Sequence, residues 1–272
     1  MKHKKKEKLP YHKYELYEAS VQDPKDEMEF VNRVYQEVFQ KDATHLREDF
    51  CATFRNSCHW VKRGPKHRAV AVDLCEKTIN YGKKHTDFLT KDEIQRIRTY
   101  VSNVMTVKTP SVDVISVSNF SIGYIKKRNN LVKYFKNNLT HLRNDGIMIF
   151  DLLGGQEISE PVKEKRTFSM PDGTRVQYIW DHEEFNPINR NASYSIHYKL
   201  KGKPAFERVF EYHWRMWSIP EVVDCLIEAG FDDVKVYWEE DDEDGEGNGY
   251  FSQSENVEDC PIWIAYVVGV KK

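Results

Sequence analysis

Asp73 ends a short apolar run, Ala69-Val-Ala-Val-Asp73, and that position carries chemical meaning. A carboxylate at the carboxyl end of a central parallel strand is placed to accept hydrogen bonds from the ribose hydroxyls of a nucleotide cofactor. The same side chain could instead cap a helix over Cys75 to Tyr81, and both readings stay open. Asn103, Asn119 and Phe120 follow the next two strand candidates, at the same edge of such a sheet, where ligands bind. Gln22, just before the turn Asp23-Pro24, has no local partner and is a candidate to face a ligand. His182 and His213 lie in an aromatic-rich stretch, and histidine titrates near neutrality, as a general base must.

These residues need strands and helices to hold them. Glu27 to Phe39 places Met28, Val31, Val34, Tyr35 and Val38 at three- and four-residue spacing, so an amphipathic helix is predicted. His45 to Asp73 then reads as strand, helix, strand, with the helix closed by Gly64-Pro65. Thr90-Lys-Asp-Glu93 is a capping box for a short helix. Ile97 to Val104, Val112 to Val117 and Gly146 to Leu153 are further strands, with a helix over Arg128 to Leu142 before the last. Asp151 and Gly154-Gly155 close that strand. Residues 161–217 change character, with short strand candidates separated by Pro171-Asp-Gly173, Asn186-Pro187 and Lys201-Gly202. That is an antiparallel signature, and its aromatics either wall a substrate site or form a packed layer. A helix from Ser218 and strands at Phe231–Trp238 and Trp263–Val270, joined through an acidic loop, close the chain.

The expected fold is therefore α/β, a seven-stranded Rossmann-like sheet, mostly parallel with a terminal antiparallel hairpin, plus a small antiparallel β insertion. The organisation expected is a basic tail with lid helices (1–44), a cofactor-binding core (45–160), a substrate-side insertion (161–217) and a closing helix and hairpin (218–272). Apolar residues make up 40%, enough for a buried core. A net charge of -2 calls for no polyanionic partner, so nucleic acid is not expected, and the basic tail Lys2 to Lys8 reads as solvated surface. The five cysteines form no C-x-x-C pair, so neither a disulfide framework nor a metal site is expected. Cys51, Cys75 and Cys225 read as small core residues. No stretch approaches ~18 consecutive apolar residues, and the basic residues are not followed by an apolar leader, so the expected setting is cytoplasmic.

The order of elements, with Tyr212-His-Trp-Arg-Met-Trp-Ser-Ile-Pro-Glu221 leading to Ala229-Gly-Phe231, resembles class I S-adenosylmethionine-dependent methyltransferases over residues 40–272. The family's first motif, an acid followed by three glycines at alternate positions, falls on Glu48-Asp-Phe-Cys-Ala-Thr-Phe54, with Phe50, Ala52 and Phe54 in the glycine places. The resemblance implies S-adenosylmethionine as cofactor and S-adenosylhomocysteine as product. Glu48, Phe50 and Ala52 would lie at its methionine end, Asp73 on the ribose, Leu74 and Asn103 by the adenine, and Asn119 and Phe120 beside the transferable methyl. Tyr14 to Pro24 is similar to the lid of a subgroup, with Tyr17 and Gln22 as cofactor contacts. Tyr178, Trp180 and Trp214 would line the pocket of a small-molecule acceptor, methylated at nitrogen or oxygen, with His182 or His213 as base. The missing glycines also leave open an impaired methyltransferase-like fold that serves as an interaction module. A nicotinamide-dependent dehydrogenase fits less well, since it also needs the glycine turn and leaves the terminal hairpin unexplained. No N-P-P-Y tetrad of nucleic-acid methylation follows the fourth strand, and a homodimer is left open.

Overall fold

Val114, Ile147 and Val268 pack on one side of a sheet, and Ile115, Met148 and Val267 on the other, because neighbouring residues of a strand point to opposite faces. The computed structural model that shows this describes residues 9–241, 247–258 and 260–272. The basic stretch Lys2 to Lys8 and residues 242–246 of the acidic run lie outside the described residues.

Two helices lead in, α1 (Lys13–Val21) and α2 (Pro24–Phe39), the second started by Pro24 and by the Asp23 carboxylate, which accepts from the Asp26 amide. The core follows as β1 (His45–Asp49), α3 (Arg55–Lys62), β2 (Arg68–Asp73), α4 (Glu76–Lys84), α5 (Lys91–Gln95), β3 (Ile97–Val101), β4 (Val112–Val117), α6 (Arg128–His141) and β5 (Leu142–Gly154). The insertion is β6 (Lys163–Ser169), β7 (Arg175–Asn186), β8 (Asn191–Leu200) and β9 (Phe206–Arg215). The chain closes with α7 (Ile219–Ala229), β10 (Asp233–Asp241), β11 (Gly247–Gln253) and β12 (Trp263–Lys271). A capping box is present at Thr90, as expected, and another at Ser218.

The main sheet runs β11-β10-β12-β5-β4-β1-β2-β3. Strands β1 to β5 pair in parallel, and β12 inserts antiparallel between β5 and β10. Seven of these eight strands are the expected sheet; the eighth, β11, corrects the expectation. Its Gly, Asn and Ser residues read as loop, but the open edge of β10 offers unpaired backbone groups, and the segment pairs with it antiparallel. Helices α6 and α7 cover one face and α2 and α3 the other. Among the described residues no helix is long and apolar enough to cross a membrane. Cys51 and Cys225 are buried as expected, but Cys75 is exposed, because it precedes α4 at the sheet edge rather than on its core face.

The insertion is a separate four-stranded antiparallel sheet in the order β6-β7-β8-β9. Leu16 of α1 packs on its inner face with Tyr178, Ile196 and Tyr198. The same helix reaches the core, where the Tyr14 and Thr78 hydroxyls share a 2.7 Å hydrogen bond and Glu18 pairs with Arg55 at 2.8 Å. At the other end Trp214 lies on the 3-10 turn Ser121–Tyr124, so close that a Cβ at Gly123 would sit 2.6 Å from the Trp214 Cβ. Gly123→Ala is therefore expected to destabilise the chain by about 1–3 kcal/mol through overpacking. The check is the urea midpoint at unchanged slope.

Candidate active site

The chain must turn from β1 into α3 within a few residues. Phe50, Ala52 and Phe54 all take left-handed backbone there, with φ of 54°, 45° and 51°. Those are the three positions read as glycine places. The backbone conformation that favours glycine has been kept with other side chains in it. Phe54 is 2% exposed, and its ring lies in the core with Cys51, Cys58, Ile79 and Leu89. Room for it comes from Gly82 of α4, where a Cβ would stand 2.5 Å from the ring. Phe50 packs on Tyr124 and Tyr134, with ring centroids 6.1 and 6.3 Å away.

Acids brace the turn on both sides. Buried Glu48 accepts from the Ser57 amide at 2.8 Å and from its hydroxyl at 2.5 Å, tying the end of β1 to the start of α3. Asp73 accepts from the Ala52 amide at 2.9 Å and from the Cys75 amide at 2.7 Å. The second contact closes a local turn and does not cap α4, whose N-cap is Cys75 without a side-chain hydrogen bond; the first holds the turn after β1. A carboxylate has about four lone-pair sites, so two remain for other donors. Beside it Leu74 is 69% exposed. Asn103 is exposed and accepts from the Met105 amide at 2.9 Å, stabilising its own turn just past the residue paired with Asp73.

A cavity of about 490 Å³ opens where β4 and β5 end, between the main sheet and the insertion. It brings together Tyr17, Asn119, Phe120, Tyr178, Trp180, His182 and Trp214, all expected site residues. Asn119 and Phe120 are left-handed, with φ of 58° and 57°, and the Phe120 amide donates to Asp151 at 2.8 Å. Gln22 is not among the lining residues; it lies in a smaller cleft with Glu18, Arg55 and His59. His213 corrects the expectation of a base there. On β9 it alternates with inward Trp214, so it is exposed, and its Nδ1 meets the Ser193 hydroxyl at 3.1 Å. His182, on the face of β7 that carries Tyr178 and Trp180, is 3% exposed.

Among the cavity residues that sequence reasoning missed are Asp151 and Glu27. Asp151 is buried and Glu27 half-buried. Asp151 had the same signal as Asp73, an acid closing a parallel strand. Glu27 sits four residues before Val31 on the apolar stripe of α2, which is an odd place for an acid. Glu27 accepts from the Ser118 hydroxyl at 2.7 Å. Burial raises its carboxyl above the ordinary value and pushes those of Glu48 and Asp151 up to about 8.

No family model matches the chain, and no curated protein matches it. Solved structures do. An S-adenosylmethionine-dependent methyltransferase from Clostridium acetobutylicum superposes with a TM-score of 0.67 at 17% identity, over 95% of this chain and 98% of that one. An amino pentose methyltransferase from Micromonospora echinaspora, solved with S-adenosylmethionine bound, gives 0.67 at 14%, over 96% and 98%. A sugar N-methyltransferase from a Streptoalloteichus species gives 0.65 at 16%, over 98% and 95%. This chain has the methyltransferase fold.

The residues present fit the cofactor that such a fold implies. The turn keeps its left-handed path, the Phe54 ring is turned into the core, and Asp73 and exposed Leu74 stand side by side at the sheet edge. Gly82→Ala should force the Phe54 ring out of place, cost about 1–3 kcal/mol, and weaken S-adenosylhomocysteine binding measured by calorimetry.

A pH dependence also follows. Glu48 and Asp151 hold protons in the folded chain up to about pH 8, whereas their ordinary values are 4.5 and 3.8. The folded chain binds more protons than the unfolded one in that window, so stability falls as pH rises through it. Asp151→Asn, which does not ionise, should make the fall shallower between pH 5 and pH 8, read from urea midpoints at each pH.

Proposed function

We propose that this chain transfers a methyl group from S-adenosylmethionine to a small molecule held in the cavity between the main sheet and the insertion. The observation that carries this reading is the turn after β1, which keeps a glycine-type backbone at Phe50, Ala52 and Phe54 while the Phe54 ring is buried behind it. Asp73 would accept from the ribose hydroxyls, Leu74 would lie against the adenine, and Asn119 and Phe120 would face the methyl group. Glu48 acts by anchoring the turn. Tyr17, on α1, would close over the cofactor, while Asn103 and Gln22 are outlying contacts. Tyr178, Trp180 and Trp214 would wall the acceptor, and of the two histidines His182 is the one that faces it.

When bound, the cofactor supplies an electrophilic methyl carbon on a sulfonium. The protein's task is alignment and exclusion of water. The cavity has the size of a small-ligand site, and α1 and the insertion enclose it. The acceptors of two of the similar structures, an amino pentose and a sugar, are small polar molecules of the kind such a volume takes. The interaction-module reading was motivated by Phe50, Ala52 and Phe54, and the buried Phe54 ring weakens that motive.

Calorimetry with S-adenosylmethionine tests the assignment. The wild-type chain should bind it. Asp73→Ala should lose at least about tenfold in affinity, or roughly 1.4 kcal/mol, and Asp73→Asn should lose less, since its carbonyl still accepts from the Ala52 amide. Equal affinity in all three would refute the ribose contact, and no binding by the wild type would refute the methyltransferase reading.

A further inference from the structure

We infer that the cavity receives an organic ammonium, and that the methyl acceptor is a primary or secondary amine held at Glu27 and Asp151. The inference deepens the methyl-transfer reading and rests on it.

Glu27 comes from α2 and Asp151 from the end of β5, and both line the cavity. Their partners are neutral donors. Glu27 takes the Ser118 hydroxyl at 2.7 Å and, at 3.5 Å, the Tyr266 hydroxyl, and Asp151 takes the Phe120 amide at 2.8 Å. Among the described residues neither carboxyl forms an ion pair. They are close enough that the charge of Glu27 disfavours ionisation of Asp151. Ionising buried Asp151 beside half-buried Glu27 is costly without a cation, and a cation entering beside them offsets the negative charge of both.

The walls suit the same guest. Tyr17, Trp180, Tyr212 and Trp214 line the cavity, with Tyr212 and Trp180 at 4.5 and 6.0 Å from Trp214 between ring centroids. Aromatic faces attract an ammonium and keep water from it. Lys165 and Arg166 also line the cavity, but on exposed β6, and Arg166 is engaged by the Ser20 carbonyl and the Tyr178 ring.

His182 is an independent observation. It is 3% exposed, lines the same space, and among the described residues neither ring nitrogen has a hydrogen-bonding partner. Its Nε2 lies 3.2 Å from the half-exposed Glu164 carboxylate but without hydrogen-bond geometry. A buried imidazole left unpaired in a cavity wall is free to pair with a ligand there. In the neutral form it can accept an N–H from the amine and donate to a neighbouring polar group.

The chemistry balances. A protonated amine has no lone pair to give, so one carboxylate of the pair first takes an N–H proton. The freed pair then forms the nitrogen–carbon bond to the methyl carbon while the carbon–sulfur bond breaks and its electrons stay on sulfur, cancelling the sulfonium charge. The product leaves as the methylated ammonium, and the carboxyl proton passes to water. An alcohol acceptor would bring no charge to offset the two acids.

The test compares two probes of one shape, cyclohexylammonium and cyclohexanol, titrated by saturation-transfer NMR at pH 7 into the full chain saturated with S-adenosylhomocysteine. The ammonium should bind at least about tenfold more tightly. Glu27→Gln should bring the two probes to within about twofold, with S-adenosylhomocysteine affinity unchanged by calorimetry. Cyclohexanol binding as tightly as the ammonium, or neither probe binding to the saturated chain, would overturn the amine assignment while leaving methyl transfer standing. Failure to bind S-adenosylhomocysteine at all would overturn the methyl-transfer reading, and the acceptor assignment with it. Should Glu27→Gln not fold, as judged by circular dichroism, the wild-type comparison decides alone.

Discussion

The turn from β1 into α3 has to run left-handed at three alternate residues, and the cofactor edge of the sheet depends on its doing so. For a side chain other than glycine that conformation costs roughly 1–2 kcal/mol per residue. Each departure has its own compensation. Phe54 is buried in a small cluster behind the turn, a gain of about 1.5–3 kcal/mol for a fully buried aromatic. Phe50 packs between Tyr124 and Tyr134. Ala52 has only a methyl group to bury, and its amide is held instead by Asp73. The strain is thus met at each position by burial or by a charge-assisted hydrogen bond, and the path of the backbone survives without its glycines.

Asp73 consequently has two tasks. It braces the strained turn and offers its remaining lone pairs outward, beside Leu74. Glu48 shares the first task, since the Ser57 amide and hydroxyl both donate to one of its oxygens inside the core. Below them Arg47 and Asp49 form a fully buried pair at 2.7 Å, completed by the Tyr134 hydroxyl, so the strand end itself has little freedom. A buried pair of this kind contributes more to a unique geometry than to net stability. Rigidity there suits a site whose work is alignment.

Much of this was legible in the sequence wherever one face of an element is buried. β5, the apolar stripe of α2 and the four insertion strands showed their periods, because packing against a core imposes them. β11 was not legible, since its residues have no alternation and pair only because β10 has an open edge. His182 and His213 looked equivalent. Their separation depends on which face of the curved sheet each strand presents, and the register shift after His182 alters that phase within β7. Phe54 looked like an obstruction because a sequence carries no ring direction; Gly82, twenty-eight positions on, is what lets the ring turn inward. Glu27 and Asp151 are far apart in the chain, and only the fold makes them neighbours of one cavity.

The outer face of the insertion explains how so aromatic an inner face can be held in place. Asp181, Glu183 and His197 approach one another closely enough to suggest a cation site. The cations are already supplied by the protein, with Lys163 on Asp181 and Arg208 on Glu183, each at 2.7 Å. Ser195 and His197 complete the set at 2.9 Å. Lys163 belongs to β6, the two acids to β7, Ser195 and His197 to β8, and Arg208 to β9, so one polar network stitches all four strands. Side chains alternate along a strand, so fixing the outer residues fixes the phase of the inner ones. Trp180 and His182 face the cavity because Asp181 between them is tied down on the other side.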